Sequence, residues 1–107
     1  TLRVMIPATL RSQLISSIGA LLQPTRVQPG CLSCRLYIDY DDENAITLIG
    51  EWSSRGELTR YLESDVRKTL VAALDLSTEM PQVRIDTIIR KEDLSIIGDL
   101  DNIDQSP

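Results

Sequence analysis

The chain has 107 residues, 42% of them hydrophobic, enough for one packed domain, and its formal charge is -5. All 11 basic residues fall within positions 1 to 92 against 12 acidic ones, so the body is near -1 and Asp93, Asp99, Asp101 and Asp104 carry the remaining -4. This distribution leaves no basic stripe for nucleic acid, and the absence of histidine removes the commonest general base and the commonest metal ligand.

Leu2-Arg3-Val4-Met5-Ile6 alternates with the two-residue period of a strand that Pro7 closes. From Thr9, a suitable N-cap, Leu10, Leu14, Ile18, Leu21 and Leu22 recur at helical spacing, and Pro24 is expected to end or kink that helix. Pro29-Gly30 reads as a turn. Leu32, Cys34, Leu36 and Ile38 alternate with Ser33, Arg35, Tyr37 and Asp39, giving a second strand, and Ala45 to Trp52 gives a third. The polar Asp41-Asp42-Glu43-Asn44 joins these two as a hairpin. Ser54-x-x-Glu57 fits a capping box, and Leu58, Leu62, Val66, Leu70, Ala73 and Leu74 extend a second helix from it. After Pro81, Val83, Ile85, Thr87 and Ile89 predict a fourth strand.

The order β-α-β-β-α-β predicts an α+β, ferredoxin-like fold, with two helices covering one face of a four-stranded antiparallel sheet. Residues 1–92 form the expected domain, and 93–107 an acidic tail that is either disordered or docked on a partner subunit. No apolar run approaches the roughly 20 residues that cross a bilayer, and no leader-like segment is seen, so a soluble, cytoplasmic protein without membrane contact is expected.

Burial of one sheet face sets the expected register. Leu2, Val4 and Ile6 group with Leu32, Cys34, Leu36 and Ile38, with Ile46, Leu48 and Trp52, and with Val83 and Ile85 beneath the helices; this requires an odd loop or a bulge. The opposite face collects Arg3, Met5, Ser33, Arg35, Tyr37, Thr47, Ile49, Glu51, Arg84, Asp86, Ile88 and Arg90. Apolar residues within a charged rim predict a homodimer packed through this face; the alternative is a monomer with a wet sheet.

Cys31-Leu32-Ser33-Cys34 is a C-x-x-C. In a regular strand its cysteines stand about 10 Å apart on opposite faces, too far for a disulfide, and no further cysteine or histidine completes a metal site. Cys34 is expected as a small core residue. Trp52, the single tryptophan, precedes the second helix, and Tyr61 follows nine residues later. The two either fill the core or line a cavity for a planar apolar ligand, with Cys34 as the third candidate pocket residue. Gly50 between Leu48 and Trp52 marks a bulge or a close approach, the bulge being favoured. A serine–histidine triad and a glycine-rich phosphate loop are both excluded.

Pro29-Gly30-Cys31-Leu32-Ser33-Cys34-Arg35-Leu36-Tyr37, the Glu51-Trp52 pair leading through Ser53-Ser54-Arg55-Gly56-Glu57-Leu58, and Leu74 to Leu76 followed by Pro81 and Val83 resemble the antibiotic biosynthesis monooxygenase domain of the dimeric α+β barrel superfamily. The resemblance covers about residues 2 to 90. It implies a homodimer that oxygenates a quinol- or anthrone-like aromatic with molecular oxygen, needing neither metal nor other cofactor, with Trp52 at the cavity tryptophan position. Many members carry a histidine where this chain has Tyr61, the iron ligand of the haem-degrading branch, and often an acid where Gly50 stands. The resemblance therefore speaks against haem degradation and names no catalytic residue. The alternative it leaves is a non-enzymatic, dimeric small-molecule binding or regulatory module.

Overall fold

The computed structural model describes residues 1–87. Strand β1 (Leu2–Met5) is followed by a short 3-10 turn, helices α1 (Arg11–Gly19) and α2 (Leu22–Arg26), the hairpin β2 (Cys31–Ile38) and β3 (Ala45–Trp52), helices α3 (Arg55–Leu62) and α4 (Val66–Leu76), and β4 (Gln82–Val83). The strands form one antiparallel sheet in the order β2-β3-β1-β4, the ferredoxin-like arrangement expected from the sequence.

The apolar alternation in β1 and β3 builds the core. Leu2 lies opposite Leu48 and Val4 opposite Ile46, so these side chains share a face. Val4, Ile6 and Ile46 pack with Leu14 and Ile18 of α1 and Ala73 of α4, while Leu36, Leu48 and Leu74 surround this cluster. Both main helices thus cover the same sheet face.

Each predicted helix is broken into two pieces. The first stops at Ala20–Leu21, before Pro24, and Pro24 instead sits in the first turn of α2, where a missing N–H breaks no helical bond. The second begins as its capping box requires, the Ser54 hydroxyl accepting from the Glu57 N–H at 3.2 Å, but Glu63–Asp65 separate α3 from α4.

The hairpin holds the most consequential departure. Ile38 faces Ile46, Leu36 faces Leu48 and Cys34 faces Gly50, but Cys31 faces Trp52, with Leu32 as the extra residue of a β-bulge. The bulge therefore lies in β2 and not at Gly50. Leu32, expected in the core, is 68% exposed. The bulge also changes the parity of the strand, so Cys31 and Cys34 occupy the same face and not opposite ones. Ile38 is half-exposed as well, because the end of β2 runs past the helical cover.

β4 is shorter than its periodicity predicts. Val83 pairs with Leu2 but is 62% exposed, and the half-exposed Ile85 and the exposed Thr87 stand beyond the strand. A backbone bond from the Arg84 N–H to the Thr1 carbonyl continues the pairing by one step. Ile88, Ile89, Arg90 and the acidic segment 93–107 lie outside the described residues.

On the face away from the helices, Tyr37, Thr47 and Arg3 stand side by side, with Arg35 beside Ile49 and Ser33 beside Glu51. The Arg3 guanidinium bonds the Asp39 carboxylate at 2.7 Å and borders this surface.

Candidate functional site

The Pro29-Gly30 turn anchors one end of the site. Gly30 has φ +83°, a left-handed conformation that favours glycine, and a Cβ there would fall 2.5 Å from Glu57 Cγ. Its carbonyl accepts from the Ser53 N–H at 2.8 Å. The turn thus ties the start of β2 to the entrance of α3, and Trp52 lies between these two anchored points.

Gly50 has a different role. A Cβ on it would lie 2.9 Å from the indole Nε1 of Trp52, so the glycine makes room for the indole lying over the strand. The indole then meets Tyr61 of α3, with ring centroids 4.7 Å apart and planes inclined by 33°. The sheet, the glycine and the helix together fix the aromatic pair.

Tyr61 reaches across to α2. Its hydroxyl and the Thr25 Oγ1 share a hydrogen bond of 2.7 Å, and Thr25 is only 2% exposed. Burial pushes the Tyr61 phenol above its ordinary value of 10.0, while the Thr25 bond partly opposes that shift. At neutral pH the phenol keeps its proton and acts as a hydrogen-bonding group.

Cys34 is 3% exposed and faces Gly50, while Cys31, opposite Trp52, is partly exposed. Burial raises both thiols above their ordinary 9.0, and neighbouring Arg26 offsets part of the effect in each. The Arg26 Nε also donates to the Cys34 carbonyl at 3.0 Å, linking α2 to the outer edge of the sheet.

A groove of about 330 Å³ opens between α2 and the junction of α3 with α4. Thr25 and Tyr61 line it with Leu21, Pro24, Asp65 and Val66 among others. Of the three candidates named from the sequence, Tyr61 lines this groove, whereas Trp52, in contact with Tyr61, and Cys34, in β2 opposite Gly50, do not. Thr25 and Asp65 were not identified from sequence. Thr25 sits after a proline in an unremarkable polar stretch, and only the break between α3 and α4 brings Asp65 to the groove. The Asp65 side chain makes no capping bond to α4.

Among the described residues, no group of three or more histidine, cysteine or acidic side chains is arranged to hold a metal ion, and no helix is long and apolar enough to cross a membrane.

The comparisons agree with this architecture. The model of the antibiotic biosynthesis monooxygenase family matches residues 2–73. A crystal structure named as an antibiotic biosynthesis monooxygenase is 21% identical, with a TM-score of 0.71 over 82% of this chain and 95% of its own. A Mycobacterium tuberculosis protein is 26% identical, with a TM-score of 0.66 over 82% and 94% of the respective chains. A candidate antibiotic biosynthesis monooxygenase of Nitrosomonas europaea is 12% identical, with a TM-score of 0.75 over 84% and 88%. No curated protein matches in sequence. The four-stranded order, the helical cover and the family match across two thirds of its length show that this chain belongs to the antibiotic biosynthesis monooxygenase family.

Proposed function

We propose that the chain is a cofactor-independent monooxygenase that binds an electron-rich quinol- or anthrone-like aromatic in the groove beside Tyr61 and oxidises it with molecular oxygen. The observation that carries this reading is the part-buried Thr25–Tyr61 hydroxyl pair at the groove wall, backed by the Trp52 ring. It offers an oriented hydrogen bond next to aromatic surface, the combination a planar phenolic ligand requires.

For an anthrone the overall change is conversion of a CH₂ and O₂ into a C=O and H₂O. Removal of a ring-activated proton leaves a delocalised anion, which passes an electron to oxygen. Carbon–oxygen bond formation and loss of water complete the oxidation. Tyr61, protonated at neutral pH, donates to the anionic oxygen, and Thr25 fixes the direction of the phenol. Asp65 supplies the carboxylate among the groove residues and is the proton acceptor in this scheme. The protein works as a homodimer through the sheet face carrying Arg3, Tyr37, Thr47 and Ile49, since one layer of helices leaves that face uncovered.

Oxygen uptake with a panel of quinols and anthrones tests the proposal. Wild type consumes oxygen with at least one of them, while Trp52→Ala and Tyr61→Phe, checked for folding, lose most of the rate. Absence of uptake across the panel overturns the enzymatic reading, and uptake untouched by both substitutions overturns the site.

The second reading is a dimeric binding or regulatory module. It is favoured by the raised pKa of Tyr61, which makes the phenol a poor base and leaves proton removal to Asp65 alone among the groove residues. Saturable aromatic binding without oxygen uptake distinguishes it.

A further inference from the structure

The bulge in β2 alters the chemistry open to the two cysteines. In a regular strand, three residue steps separate them by about 10 Å and place them on opposite faces. Here Cys31 faces Trp52 and Cys34 faces Gly50, and those partners are two steps apart on one face of β3. Three steps of β2 are therefore compressed against two of β3. Two regular strand steps span about 6.6 Å, so this register brings the two cysteines from about 10 Å towards the roughly 4.4 to 6.8 Å between Cα atoms that a disulfide accepts.

The side chains are disposed the same way. The Cys31 thiol donates to the Ser33 carbonyl at 3.5 Å, which lays it along β2 in the direction of Cys34. Burial is the main cause of the raised Cys34 thiol, and charge on Cys31 adds to it. Both cysteines are free, with Cys31 the more accessible.

We propose that Cys31 and Cys34 form a reversible dithiol–disulfide pair, closed by a hydroperoxide, that acts on the aromatic site through Trp52. The minor fraction of Cys31 present as thiolate, kept small at neutral pH by burial and growing as pH rises, attacks one peroxide oxygen and the O–O bond breaks, giving a sulfenic acid and, with hydrogen peroxide, one water. The Cys34 sulfur then attacks the Cys31 sulfur, the S–O bond breaks, and the second water leaves with the thiol proton. Two thiols and one hydrogen peroxide become one disulfide and two waters, with two electrons passing from sulfur to peroxide. A disulfide closed across the bulge must deform it and is correspondingly labile, so a small thiol such as glutathione reopens it by exchange. Closure draws Cys31 towards Cys34, tightening the bulge and moving the strand opposite Trp52.

The test uses the full chain under native conditions and requires no substrate, so its outcome is independent of the proposed oxygenation. Trypsin cuts after Arg26 and Arg35, so both cysteines lie in the one peptide Val27–Arg35. Stoichiometric hydrogen peroxide makes this peptide about 2 Da lighter, the loss of two hydrogens, and both thiols vanish from titration together. The emission of Trp52, the single tryptophan, falls at the same rate, and glutathione restores both signals. Cys31→Ser and Cys34→Ser each abolish the mass loss and the emission change. Any of four results overturns the proposal: oxygen added to Cys31 while Cys34 stays titratable, a disulfide between two chains, closure only in urea, or closure with unchanged Trp52 emission.

Discussion

The hydrogen bond between Thr25 and Tyr61 joins α2 to α3, and its removal from each side has a different cost. In Tyr61→Phe the Thr25 hydroxyl, 2% exposed and 2.7 Å from its partner, remains buried with no other side-chain partner among the described residues. An orphaned buried hydroxyl costs about 1 to 3 kcal/mol. Thr25→Val keeps the branched shape and removes the hydroxyl, while the Tyr61 oxygen at the groove wall can turn to water; the loss is about 0.5 to 1.5 kcal/mol, a typical net hydrogen bond. The double variant has neither partner and no orphan, so its cost falls below the sum of the single ones by about 1 kcal/mol. Urea unfolding of the four proteins reads this coupling, and in thermal unfolding 1 kcal/mol corresponds to about 4 to 8 °C for a domain near 100 residues. Additivity to within about 0.3 kcal/mol refutes the hydroxyl pair as an energetic link.

Gly50→Ala brings a methyl to 2.9 Å from the Trp52 Nε1 and pushes the indole off Tyr61. Loss of about 0.5 to 1.5 kcal/mol of stacking is partly offset by the lower chain entropy of alanine, so near-ultraviolet circular dichroism changes more than stability does; an unchanged spectrum refutes the contact. Gly30→Ala, forced to φ +83° against Glu57, destabilises by about 1 to 3 kcal/mol in urea unfolding, and a neutral result refutes the strain. Burial holds Cys31, Cys34 and Tyr61 above their ordinary 9.0, 9.0 and 10.0, so at alkaline pH the folded chain retains protons that the unfolded chain has shed. Their contribution to stability is complete below about pH 9 and is lost as pH rises through the raised values; a Cys34→Ser, Tyr61→Phe double variant with the same alkaline slope as wild type refutes this. Light scattering reads a mass about twice 12.0 kDa if the bare sheet face is a dimer interface, and 12.0 kDa refutes it.

Regular periodicity made the fold legible. Leu2, Val4 and Ile6 in β1, and Ile46 and Leu48 in β3, alternate without interruption, and the core follows them. Ser54 and Glu57 announced α3 through a local bond that needs no tertiary partner. What escaped the sequence depends on residues distant along the chain. Thr25 and Tyr61 are 36 positions apart and meet only because α2 continues after the interruption at Ala20–Leu21. Val83 and Ile85 have the pattern of a buried strand, but the helices cover β1 and β3, not the short edge strand β4. An apolar alternation records which residues share a face and is silent on whether anything lies over it.

The two sequence features that suggested chemistry, the C-x-x-C and Gly50, interchange their geometric roles in the folded chain. Glycine was the expected source of irregularity, yet Gly50 stays in register opposite Cys34 and yields space to the indole. The irregularity falls at Leu32, whose exposed side chain loses little by being the unpaired residue. That placement keeps Cys34, Leu36 and Ile38 in phase with Gly50, Leu48 and Ile46 while turning Cys31 towards Trp52. A bulge placed at Gly50 would instead have shifted Trp52 relative to Leu48 and turned the indole from Tyr61. The shared face of the two cysteines thus follows from a single extra residue, and because Leu32 is the unpaired one, its deletion is expected to leave Cys31 opposite Trp52 and Cys34 opposite Gly50 in a regular ladder, with the aromatic pair intact.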